Sequence, residues 1–66
     1  MKRGDLLRHL RLHGCVLKRE GGSHSIWVNP ETGYQEAVPR HIEISNLLAR
    51  SICRGLLVPE IGKAKD

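Results

Sequence analysis

Apolar residues recur along the chain at two different spacings, and the changes of spacing divide it into five elements. Leu6, Leu7 and Leu10 fall at i, i+1 and i+4, one stripe of an amphipathic helix, and predict a helix over residues 4–13. Asp5 suits its first turn, His13 its last turn, and Gly14 its end. Arg8 and Arg11 lie off the stripe and read as a solvated face. Residues 15–20, 24–29 and 34–38 are short runs between turns that predict three strands, the second of them rich in β-branched and aromatic side chains. Gly21-Gly22-Ser23 and Pro30-Glu31-Thr32-Gly33 separate them as turns, and Pro39 stops the third. Connections this short imply an antiparallel meander. Residues 39–44 lead into a second helix over 46–56, with Ser45 as its N-cap. Leu48, Ala49, Ile52, Cys53 and Leu56 share one face of it, and Arg50 and Arg54, four apart, project together at the margin. Gly55 weakens the last turn and Pro59 prevents continuation.

The order helix, three strands, helix predicts an α+β fold. It is a two-layer α-β-β-β-α sandwich with a three-stranded antiparallel sheet and both helices on one face, the architecture of double-stranded-RNA-binding domains. Sixty-six residues make a single domain, expected over 1–58, with 59–66 a mobile C-terminal tail. A core this small is marginally stable and favours work with a partner. The second strand carries two candidate core faces: His24, Ile26 and Val28 share one, Ser25, Trp27 and Asn29 the other. If Ile26 and Val28 pack on the helices, His24 points inward unless it sits at the rim or the glycine turn carries a bulge. The alternation fits both arrangements.

Charge changes the picture next. The formal net charge is +4 and the pI about 9.6, which favours an anionic partner, either nucleic acid or an acidic protein. Cys15 and Cys53 are far apart, no CxxC occurs, and no Cys/His group has zinc-site spacing. Both lie in apolar stretches and read as reduced core residues of a cytoplasmic protein. The basic start Met1-Lys2-Arg3 is followed by no long apolar run, so neither a signal peptide nor a membrane span is expected. No cofactor or metal is called for.

Candidate chemistry concentrates in Gly21-Gly22-Ser23-His24-Ser25-Ile26-Trp27. Glycines let a phosphate or another backbone approach closely. Successive amides of Gly21 and Gly22 make a possible anion nest, and Ser23 beside them is a further candidate RNA contact. Histidine's ordinary pKa suits proton transfer near neutrality. Lys18, Arg19 and Arg40 are candidate phosphate contacts, and Arg50 and Arg54 suit an RNA backbone or an acidic partner. The plainer alternative is a hairpin turn with an exposed histidine. Trp27 suits core packing better than base stacking, because it is the sole tryptophan of a phenylalanine-free chain. His9 and His13 read as surface residues, His41 as a loop brace or a second catalytic group, and Glu43 as a structural partner.

The chain resembles the HicA family of bacterial and archaeal toxins from about Met1 to Leu56. The resemblance is carried by Asp5-Leu6-Leu7 with Leu10, His13-Gly14-Cys15-Val16-Leu17 and Arg19-Glu20-Gly21-Gly22-Ser23-His24. Val38-Pro39-Arg40-His41, Glu43-Ile44, Leu48-Ala49-Arg50 and Ile52-Cys53 follow in order. It implies a double-stranded-RNA-binding-domain-like fold and metal-independent cleavage of mRNA. It also implies a type II toxin–antitoxin partnership with a HicB antitoxin that covers the active site, and assembly through that antitoxin. The family's essential histidine matches His24. Two departures stand out: Ser25 occupies the place of a frequent second histidine, and Leu47-Leu48 that of a common Gly-Thr pair. Two non-enzymatic alternatives remain at this stage. One is an RNA-binding module of the same fold, and the other a protein-interaction module whose basic face meets an acidic partner.

Overall fold

The computed structural model describes residues 1–61. The elements are α1 (Arg3–Leu12), β1 (Val16–Glu20), β2 (His24–Val28), β3 (Gln35–Pro39) and α2 (Asn46–Gly55). The strands form one antiparallel sheet in the order β1-β2-β3, so the expected meander and α-β-β-β-α layout hold. Leu6 and Leu10 of α1, Ala49, Ile52 and Cys53 of α2, and Trp27 and Val38 of the sheet join one buried cluster with Leu56. Both helices therefore lie against the same side of the sheet.

The pairing register settles which face of β2 meets them. Ser25 lies opposite Glu20 and Val38, and Trp27 opposite Leu17 and Glu36. Ser25, Trp27 and Asn29 are buried, at 0%, 4% and 7% exposure. Ile26 and Val28 look the other way, in register with Arg19 and Ala37, and with Val16 and Gln35. Trp27 brings the largest apolar area of any side chain in the chain, so burying it outweighs burying Ile26 or Val28. His24 thus faces out with no bulge in the glycine turn. The sheet's irregularity lies in β1 instead, between Leu17 and Arg19, where Lys18 has no opposite residue in β2.

Helix ends are fixed by specific bonds. Arg3 N donates to Ile42 O at 2.7 Å and Ile44 N to Met1 O at 2.8 Å, which ties the start of α1 to the β3–α2 connection. Ser45 caps α2 as expected, its Oγ accepting from Leu48 N at 3.1 Å. Leu48 departs from expectation and is 41% exposed. The buried stripe starts one residue later, at Ala49, and runs through Ile52, Cys53 and Leu56. Gly55 has a packing role: a Cβ there would overlap the Glu36 side chain, which lies across the last turn of α2 from β3.

Asn29 pins α2 to the β2–β3 turn. Its Nδ2 donates to Leu56 O at 2.7 Å, and its Oδ1 accepts from Glu31 N at 3.0 Å. Beyond α2, Val58 is buried, His9 Nε2 donates to Pro59 O at 2.6 Å, and Arg54 Nη1 donates to Glu60 Oε2 at 3.0 Å. Ile61 packs against the core. Residues 59–61 of the expected mobile tail are thus bonded or packed against the domain, and its remainder, 62–66, lies outside the described residues. Among the described residues no helix is long and apolar enough to cross a membrane.

Candidate nucleic-acid interface

His24 opens β2 on the uncovered side of the sheet, with its imidazole exposed. The ring's Nδ1 lies 3.4 Å from Ser23 Oγ. The alternation that buries Ser25 is what turns His24 outward. Behind it the hairpin closes tightly, with Gly21 N donating to His24 O at 2.8 Å. A Cβ on residue 21 would stand 2.9 Å from that same carbonyl oxygen, so only glycine fits without moving the turn. The Gly21 amide is consequently committed to the hairpin. Of the expected nest, the Gly22 amide has no backbone partner among the described residues, and neither has the Ser23 amide that follows it.

Arg40 comes to this turn from the other side. It follows Pro39, the residue opposite His24. Its Nη2 donates to Gly21 O at 2.7 Å and forms an ion pair with the Glu20 carboxylate. Glu20 Oε1 also accepts from Ser25 Oγ at 2.7 Å, and Ser25 Oγ accepts from Arg3 Nη2 at 2.9 Å. Arg3 Nε donates to Pro39 O at 2.8 Å and closes the circuit. Arg3, Glu20 and Ser25 were not among the candidates read from sequence. A serine between His24 and Ile26 gives no local sign of a partner 22 residues upstream.

The remaining basic candidates separate. Arg19 lies opposite Ile26 and so shares the open face with His24; Lys18, exposed, sits in the bulge beside it. Arg50 and Arg54 belong to α2, in the layer behind the sheet. Arg54 pairs with Glu60 near the helix end, where Leu56 O meets Asn29, at the opposite end of β2 from His24. The structure therefore gathers His24, Gly21, Gly22, Ser23 and Arg19 at one end of the open face, holds Arg40 at the same end of the sheet on the side of Glu20 and Ser25, and places Arg54 apart from them.

Trp27 is buried, so its ring is closed to an incoming base. The Arg11 guanidinium stands over it at 5.8 Å from the ring centroid. The His9 and His13 rings meet at 4.6 Å between centroids, tilted by 58°, at the end of α1. An open cleft lined by His13, Asn29, Pro30 and Glu31 lies at the far end of β2 from His24. Among the described residues no group of three or more His, Cys, Asp or Glu side chains could hold a metal ion. Burial pushes the thiols of Cys15 and Cys53 above their ordinary range, and for Cys15 the proximity of Cys53 adds to the shift.

Residues 3–56 match the family described as the HicA toxin of bacterial toxin–antitoxin systems. Comparison with curated proteins and with solved structures finds no match. The matched span takes in both helices, the whole sheet and every residue gathered around His24. By that match the chain belongs to the HicA toxin family.

Proposed function

We propose that this toxin is an endoribonuclease that cleaves mRNA in the cytoplasm, with His24 moving the proton and Arg40 meeting the phosphate. The observation that carries the reading is the outward, exposed imidazole of His24 at the glycine turn, where the amides of Gly22 and Ser23 have no backbone partner among the described residues. Cleavage without a metal uses the ribose 2′-hydroxyl as nucleophile on the adjacent phosphorus. The P–O5′ bond breaks, leaving a 2′,3′-cyclic phosphate and a 5′-hydroxyl. One proton leaves the 2′-oxygen and one reaches the 5′-oxygen, and His24 serves one of these transfers. Negative charge grows on the phosphoryl oxygens meanwhile, where an oriented guanidinium and backbone amides stabilise it. Arg19 and Lys18 extend the basic surface along β1 and suit the neighbouring phosphates. A HicB-like antitoxin would silence the protein by covering this same open end.

Induced expression in a bacterial host tests the reading, wild type beside His24→Ala. The expected outcome is growth arrest and loss of full-length mRNA with wild type only. The variant should fold normally, because among the described residues the His24 ring meets just the exposed Ser23 hydroxyl. Equal toxicity and equal message loss from a folded His24→Ala protein would overturn it.

A further inference from the structure

We infer that Ile42, Leu47 and Leu48 form an anchoring surface for the antitoxin, outside the open face, and that it takes a protein segment with an apolar face and an acidic rim. The inference rests on the toxic-nuclease reading above and adds how the silencing partner is held. Ile42 is 79% exposed, Leu47 74% and Leu48 41%. Single apolar residues on a surface are ordinary, but three large ones within seven positions make a patch. The backbone that carries them is fixed. Arg3 N donates to Ile42 O, Ile44 N donates to Met1 O, and Lys2 bridges to Glu43. The Ser45 cap closes the first turn of α2, which carries Leu47 and Leu48. Ile44 and Ala49, interleaved with the three, are buried. The patch is thus held out by a rigid frame, which lowers the ordering cost of binding a partner.

Its place suits a protein that silences the site. Pro39 lies opposite His24, and Ile42 follows three residues later. A partner seated on Ile42 therefore stands at the His24 end of the sheet and can reach over the turn. Aliphatic side chains offer a phosphate backbone nothing, whereas the matched family is the toxin half of a two-protein system. Charge sets the rim. Lys2 faces Glu43 across the bridge, His41 precedes Ile42, and Arg50 lies one helical turn beyond Leu47. Between Glu36 and Glu60 the sequence holds Arg40, Arg50 and Arg54 against the single carboxylate of Glu43. Carboxylates around the partner's apolar face complement that surplus.

Genomic fragments of the source organism, selected for restoring growth to cells that express the wild-type chain, supply the antitoxin as the probe. Titration calorimetry then measures its binding to purified chains carrying His24→Ala, which the host tolerates. Adding Leu47→Glu should weaken binding by about tenfold to a hundredfold, the loss of one apolar anchor. Leu47→Lys should weaken it less, because an ammonium meets an acidic rim. Ile42→Ser, on the other side of the Ser45 cap, should match Leu47→Glu in scale. The first turn of α2 holds no acidic residue, so Leu47→Glu favours the helix dipole and a loss of binding is not a loss of fold. Circular dichroism checks each variant, and should Leu47→Glu not fold, Ile42→Ser makes the same comparison. With His24 intact, Leu47→Glu should stay as toxic as wild type and escape the rescue. A rescuing protein that binds Leu47→Glu and Ile42→Ser as tightly as their parent overturns this inference alone. So does rescue by none of the fragments, or a folded Leu47→Glu chain that has lost toxicity, which would put the patch on the path of the RNA. A wild-type chain that leaves growth and message intact overturns the nuclease reading and this inference with it.

Discussion

Asn29 follows β2 with its side chain buried, where an unpaired polar group is costly and a paired one acts as a fastener. It joins three pieces of chain: the strand, the following turn at Glu31, and the last carbonyls of α2 at Leu56. Asn29→Ala strands the Leu56 carbonyl and should destabilise the fold by about 1–3 kcal/mol. Thermal unfolding followed by Trp27 fluorescence would read this as a drop of roughly 4–8 °C per kcal/mol in so small a domain. Asn29→Asp should cost more, because it faces two carbonyl-type oxygens toward each other and donates nothing. The two thiols give a second residue-scale expectation. Burial disfavours their charged form, so alkylation by iodoacetamide at neutral pH should be negligible in the folded protein and complete in denaturant. The same shift sets a pH dependence. Below the ordinary thiol pKa neither state ionises and the contribution is constant. Above it the unfolded thiols ionise first, so stability falls as pH rises past about 9.

At the scale of elements, α2 and β3 meet through a contact that neither would show alone. Glu36 lies across the last turn of α2 where Gly55 leaves room. Intrinsic propensity says that Gly55→Ala should gain about 1 kcal/mol. The overlap with Glu36 says that this gain is cancelled or reversed. In a Glu36→Ala background the same change should stabilise by the full propensity difference, and a double-mutant cycle in urea would measure the coupling. The helices and strands were legible because their periodicities differ, and Leu6, Leu10, Ala49, Ile52 and Cys53 are buried as their spacing required. The face of β2 was not, because Ile26 and Val28 compete with Trp27 on hydrophobicity alone. What decides is whether Ser25 and Asn29 find partners inside, and Arg3 and Leu56, which each supply one, lie 22 and 27 residues away along the chain. Leu48 was placed one position too far into the stripe for the same reason: helix rotation about its axis is set by what it packs on.

For the molecule as a whole, topology and candidate chemistry were visible together because the family resemblance and the hydrophobic pattern agree over the same residues. The position of His24 was readable; the Arg3–Ser25–Glu20–Arg40 circuit behind it was not, since its pairs span 22, 5 and 20 residues. The sequence offered Lys18, Arg19, Arg40, Arg50 and Arg54 as candidate RNA contacts without saying how they lie relative to one another. The fold instead splits them between the open face and the helical layer, so Arg54→Ala is not equivalent to Arg40→Ala.

The core occupies one side of the sheet and the imidazole stands on the other. In genetic terms the proposed site would make toxicity and foldedness separate traits. A single base change at codon 24 would then disarm the protein while leaving its stability margin intact. Such a copy would still be made, would still escape proteolysis, and would still engage an antitoxin, acting as a decoy that frees an active neighbour.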